Sequence, residues 1–107
     1  MDLNELSKIA FNISEERQKH GAFGKRENSV QNLLKYCAGE VVEAMEAYKD
    51  YNDIESAQDK KGFADELADI ICCCLIIAGK ENIDIEKAIL DCIEKNRKRA
   101  EGVGDKL

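Results

Sequence analysis

The run Ile-Ile-Cys-Cys-Cys-Leu-Ile-Ile-Ala, residues 70 to 78, constrains the fold more than any other stretch of this chain. Wound as a helix at about 100° per residue, it is apolar on every side. A surface helix of a small domain has no need of that. Either the run forms a central helix or its outer side meets another subunit. A membrane span is excluded, because spanning takes about 20 residues.

The rest of the sequence agrees with a helical reading. Among 107 residues there is no proline, and Glu, Lys, Ala, Ile and Leu are abundant, a composition that favours helix throughout. Leu3, Leu6, Ile9, Ala10 and Ile13 recur at three- and four-residue steps and predict a first helix from about residue 2 to 19. His20-Gly21 ends it, with Gly21 suited to the left-handed position after a helix.

Asn28 or Ser29 caps a second helix, with Gln31 near its third position. Its stripe is Val30, Leu33, Leu34, Cys37, Val41, Ala44, Met45 and Tyr48, and it should run to about residue 51. The polar segment NDIESAQDKKG breaks the pattern, and Ser56 with Asp59 opens a third helix. That helix carries Phe63, Leu67, Ile70, Ile71, Cys74, Leu75 and Ala78 to about Lys80, with Gly79 in its frayed end.

Asp84 caps a fourth helix whose inner side is Ile85, Ala88, Ile89, Cys92 and Ile93. Residues 1–100 then form one domain and 101–107 a short tail. Four helices with short connections predict an all-α four-helix bundle. The all-round apolar third helix predicts that oligomerisation completes it, as a homodimer or a homotetramer.

The net charge of −6 and pI near 4.8 argue against binding to nucleic acid or an anionic membrane. A polyphosphate is still acceptable if a divalent cation stands between it and the protein. MDLNELSKIA lacks a basic region followed by an apolar core, so a cytoplasmic protein is expected. The five cysteines have no paired spacing. Cys72, Cys73 and Cys74 point about 100° apart on a helix and do not converge on one ion, so they read as small core residues.

Two acidic pairs carry the chemistry. Glu40 and Glu43 are one turn apart on helix two, and Glu66 and Asp69 repeat the spacing on helix three. Taking the Cys37–Val41 line as the centre of the stripe, Glu40 falls about 80° and Glu43 about 140° away. With Leu67 at the centre, Glu66 lies about 100° and Asp69 about 160° away. Such spacing lets two carboxylates share one ion, and two helices side by side would bring four together. Crowded carboxylates protonate or find a cation. Oxygen-only ligation suits Mg²⁺ or Mn²⁺.

Glu40-Val41-Val42-Glu43, 22 intervening residues and Glu66-Leu67-Ala68-Asp69 resemble the ExxE…ExxD signature of the MazG-like all-α nucleoside triphosphate pyrophosphohydrolases. The resemblance extends through ENIDIEKAI and EKNRKR and covers about residues 3 to 100. It implies a helical core that assembles as dimers or tetramers and binds Mg²⁺ through the acidic quartet. It also implies cleavage of a nucleoside triphosphate between its α and β phosphates, to monophosphate and pyrophosphate. By matching positions, Glu40, Glu43, Glu66 and Asp69 would be the metal ligands and Asn96 a substrate contact, with Glu43 orienting the attacking water or taking its proton.

Two positions depart from the pattern. Val42 stands where many relatives have Gly, and Cys92 where they often have Lys, so Lys95, Arg99 or Lys106 would have to supply that cation. His20 reads as a helix-end residue, Phe23 as a loop pin and Tyr48 as core. Phosphoribosyl-ATP pyrophosphatase, from the same superfamily, is the alternative activity. A noncatalytic helical nucleotide-binding or oligomerisation module is the alternative class.

Overall fold

In a computed structural model of the chain, residues 1–21 and 29–102 are described, apart from the side chain of Ile54. They form four helices: α1 (Leu3–Lys19), α2 (Val30–Ile54), α3 (Ala57–Lys80) and α4 (Ile85–Ala100). Phe23, Asn28 and Lys106 lie outside the described residues. The all-α expectation holds, and among the described residues no helix is long and apolar enough to cross a membrane.

Each helix starts on a side-chain cap. Asp2, Ser29, Ser56 and Asp84 accept from the backbone N–H three residues on, satisfying a donor the helix itself leaves unpaired. The polar segment predicted to interrupt helices two and three does so only briefly. Helix α2 continues to Ile54, and Glu55 in a left-handed conformation (φ 55°) turns the chain into Ser56 and α3. Polar residues there face water without breaking the helix, so polarity marks exposure and not the turn. Near this turn Phe63 meets Tyr48 in a tilted pair and stacks on Tyr51, with ring centroids 5.2 and 6.5 Å apart.

Helix α3 is central: α2 packs along one side of it and α1 along another. The seams follow the apolar stripes only in part: Leu33, Ala44, Leu75 and Ala78 are buried as expected. On α1 the buried residues are Ser7 and Ser14, while Leu6, Ile9 and Ile13 are exposed. On α2 the inward line is Leu33, Cys37, Glu40 and Ala44, while Leu34, Val41, Met45 and Tyr48 are exposed. Small side chains let the helix axes approach closely, and the bulky stripe is rotated outward.

The α1–α3 contact shows the closeness directly. The Ser7 hydroxyl donates to the Leu75 carbonyl at 2.7 Å. A Cβ added at Gly79 would lie 2.6 Å from the Ser7 carbonyl oxygen and 2.7 Å from the Phe11 Cβ. Gly79 is therefore where the two helices touch, not a frayed end.

The cysteines divide. Cys73 is buried, and its thiol donates to the Leu33 carbonyl at 3.2 Å. Burial, then the neighbouring Cys37 thiol, pushes Cys73 up to about 12, so it stays a neutral core thiol. Cys72, Cys74 and Cys92 are exposed in the single chain, against the expectation of core positions.

Helix α4 docks by its N-terminus on α1. The Asn4 amide donates to Asp84 at 2.8 Å and accepts from the Glu86 N–H at 3.2 Å. Ile85 is half-buried, but Ala88, Ile89, Leu90, Cys92 and Ile93 are exposed, so the predicted inner side of α4 is not covered within one chain. Hydrogen bonds from Asn4 and the Lys87 N–H hold the Asp84 carboxyl below its ordinary range. A depressed folded-state value means stabilisation that is present above the unfolded value and lost as pH falls through the folded one. Asp84→Ala should therefore lower the melting temperature at pH 7, and the deficit should shrink on acidification below about pH 4. A deficit that is constant with pH would contradict this role.

Candidate metal site

The α2–α3 seam determines where the acids go. Because α2 turns its Leu33–Ala44 line inward, Glu40 lies on that line and is only 6% exposed. It is thus an inward-facing acid, not the flank residue expected from the apolar stripe. One turn on, Glu43 is exposed, and Glu66 reaches across from α3 half-buried. One carboxylate oxygen from each of Glu40, Glu43 and Glu66 lies within 4.8 Å of the other two.

Two of these carboxylates have buried oxygens without a hydrogen-bond partner, Glu40 Oε2 and Glu66 Oε2. Buried polar atoms are nearly always paired, and a buried anion without a counter-charge is costly. Burial, followed by the charges of Glu43, Glu40 and Asp69, raises the Glu66 carboxyl above its ordinary value. Three convergent carboxylates, two of them with orphaned oxygens, form a donor set that fits a hard divalent cation of the Mg²⁺ or Mn²⁺ type.

Asp69 is exposed and outside the 4.8 Å group. Its charge still acts on Glu66 and on Tyr36, so it borders the cluster. Asn96, Lys95 and Arg99 stand on α4, which packs on α1. Asn96 is exposed with its amide 3.8 Å from the Cys92 sulfur, and the Arg99 Nε is buried without a partner. Arg97 is engaged by Glu94 and Glu101. Within one chain these α4 residues are not drawn into the carboxylate group.

Sequence reading missed one residue here. The Glu40 carboxylate, with burial and the charge of Asp69, raises the Tyr36 phenol above its ordinary value, so Tyr36 also borders the acids. The i, i+4 spacing of Tyr36 and Glu40 was available as a signal.

Comparison with protein families gives one finding: the family model described as the MazG nucleotide pyrophosphohydrolase domain matches residues 28–104. The match takes in α2, α3, α4 and all four acids, and leaves α1 outside it. Comparisons with curated proteins and with solved structures gave no match.

Proposed function

This chain belongs to the MazG nucleotide pyrophosphohydrolase family, and from that premise we propose that it hydrolyses nucleoside triphosphates between the α and β phosphates in a Mg²⁺-dependent reaction. The observation that carries the reading is the buried Glu40 carboxylate, converging with Glu43 and Glu66 and left with an unpartnered oxygen. Glu40, Glu43 and Glu66 would hold the metal, with Asp69 completing the shell from its edge. Bound there, Mg²⁺ would neutralise the triphosphate and favour charge on the departing pyrophosphate.

The protein's own side chains divide the remaining work by their exposure. Glu40, sequestered in the seam, serves only to hold the cation. Glu43 is the exposed member, so it can orient a water toward the α phosphorus and accept its proton. Asn96, Lys95 and Arg99 are assigned to the nucleotide, Lys95 and Arg99 in place of the cation that Cys92 does not provide.

Oligomerisation belongs to the same reading. The radius of gyration is 16.5 Å, against about 13 Å for a compact chain of this length. The outward stripes of α1 and α2 and the bare side of α4 are bulky and apolar, Met45 being 68% exposed. A homodimer or homotetramer covers them and offers α4 residues a site on a neighbouring copy. Light scattering should give the mass of two or four chains, and the mass of one chain at micromolar concentration would overturn this part.

The testing experiment is a pyrophosphate-release screen over common and modified nucleoside triphosphates, with Mg²⁺ and with chelator. Metal-dependent release with the matching monophosphate supports the reading and names the substrate. Release from phosphoribosyl-ATP alone would move the assignment to that pyrophosphatase. No release from any of them would leave a nucleotide-binding module.

A further inference from the structure

A cleft continues the α2–α3 seam beyond the acids, toward the turn at Glu55. Its volume is about 420 Å³, within the usual range of about 300–1,000 Å³ for small-molecule sites. Glu66 belongs both to the carboxylate group and to the wall of this cleft. Beyond Glu43, Ala47 and Asp50 continue the same side of α2 into the cleft, and Gly62 and Asp59 precede Glu66 on the same side of α3. Two helical turns at about 5.4 Å each carry both walls about 10 Å from the proposed metal, which gives room for a sugar and a base.

The floor of the cleft is made of small residues. Ala47 and Gly62 are half-buried, and a Cβ at Gly62 would meet nothing within 4 Å. Glycine inside a helix is less stable than alanine, and here, unlike at Gly79, no close neighbour requires it. Its missing side chain leaves the space beside Glu66 open. The rim sets what can enter. Asp50, Asp59, Asp65 and Glu66 outnumber the one lysine, Lys61, so a phosphate is repelled and an uncharged group with N–H donors is favoured. Ser56 engages Asp59 at 2.7 Å and Lys61 engages Asp65 at 2.8 Å. Among the described residues this leaves Asp50 and Gln58 as the rim groups without a partner, one an acceptor and the other an amide that both donates and accepts.

We propose that this cleft receives the nucleoside end of the triphosphate, with Asp50 accepting from an amino group of the base. The assignment rests on the metal-site reading above and adds what that reading leaves open, the class of base. Cytosine and adenine present an amino group where uracil and thymine present a carbonyl oxygen. A carbonyl facing Asp50 sets acceptor against acceptor. Triphosphates of amino-bearing bases are therefore the preferred substrates, their phosphates staying with the metal.

The test is calorimetric binding of the α,β-methylene analogues of CTP and UTP, which cannot be cleaved at that bond, to the full-length wild type, Asp50→Ala and Gly62→Leu. Tripolyphosphate with Mg²⁺ serves as the probe of the phosphate end alone. Wild type should bind the cytidine analogue about tenfold more tightly than the uridine one, the worth of about one hydrogen bond to a charged group. Asp50→Ala should erase that difference. Gly62→Leu should weaken both analogues at least about tenfold, with a melting temperature no lower than wild type. Tripolyphosphate should bind all three proteins alike. Wild-type affinity for both analogues in Gly62→Leu, or no preference for cytidine in the wild type, would overturn the proposal. So would a changed oligomeric mass in Gly62→Leu with nucleotide affinity intact, the mark of a cleft that receives a neighbouring chain. If tripolyphosphate binds the wild type no better with Mg²⁺ than with chelator, the metal-site reading itself fails, which separates the two failures.

Discussion

Replacing Glu40 with glutamine should make the metal-free protein more stable and the enzyme nearly inert. Glu40 Oε2 is buried without a partner, and two further carboxylates have oxygens within 4.8 Å. At an effective dielectric of about 20, two full charges at 4.8 Å repel by about 3.5 kcal/mol. Glu43 is exposed and screened, so the relief is smaller, on the order of 1–2 kcal/mol. That corresponds to a rise in melting temperature of about 5–10 °C for a domain of this size. The glutamine amide would also donate to the neighbouring carboxylates.

The same change removes the most sequestered of the proposed ligands. Since outer partners of metal ligands already cost about 10–100-fold, kcat/KM should fall at least about 100-fold. The stabilisation that Mg²⁺ confers on the wild type should vanish as well. Opposite movement of stability and activity is the signature of a site held in tension. A variant that loses both would point to a merely structural Glu40.

Alanine at Gly79 should act in the other direction on stability. Within a helix, Gly→Ala ordinarily gains up to about 1 kcal/mol. Here the new Cβ would sit 2.6 Å from the Ser7 carbonyl oxygen. The obstacle is backbone, so it cannot swing aside, and α1 must lift from α3. Overpacking of this kind typically costs about 1–3 kcal/mol, and the Ser7–Leu75 hydrogen bond would be strained with it.

After the helix-propensity gain the net loss should be about 2 kcal/mol, with a melting temperature about 10 °C lower. Gly62 provides the control. It lies in the same helix, and nothing stands within 4 Å of its Cβ position. Gly62→Ala should therefore be neutral or stabilising. Equal responses at the two glycines would mean that the α1–α3 seam is not as close as the structure has it.

How far the fold was legible depends on which signal is followed. The four helices could be read because apolar residues recur at helical steps and because Ser29, Ser56 and Asp84 offer caps to three of them. The packing seams could not. Periodicity locates the bulkiest stripe, and on α1 and α2 much of that stripe faces outward, while Ser7, Ser14, Ala44, Cys73 and Ala78 line the inside beside Leu33 and Leu75. Small residues carry little hydrophobic signal, yet they permit close approach of the helices. In the oligomer proposed above, the outward stripes would be the surfaces that meet further copies of the chain.

Much the same holds for the site. The ExxE and ExxD spacings located the acids, and the structure draws Glu40, Glu43 and Glu66 together. Their helix angles differ from those expected, because the inner face of α2 runs through Leu33, Cys37, Glu40 and Ala44 and not along the Cys37–Val41 line. Asp69, on the same helix as Glu66, stays exposed and outside the 4.8 Å group. Asn96, Lys95 and Arg99 lie on a helix whose tertiary position no local pattern specifies.

The most direct test of the central claim is anomalous diffraction from crystals of the protein grown with Mn²⁺. A peak is expected in the α2–α3 seam, coordinated by Glu40, Glu43 and Glu66, with Glu40 contributing the unpartnered Oε2. A Mn²⁺ peak elsewhere, or a seam without one at millimolar metal, would contradict it.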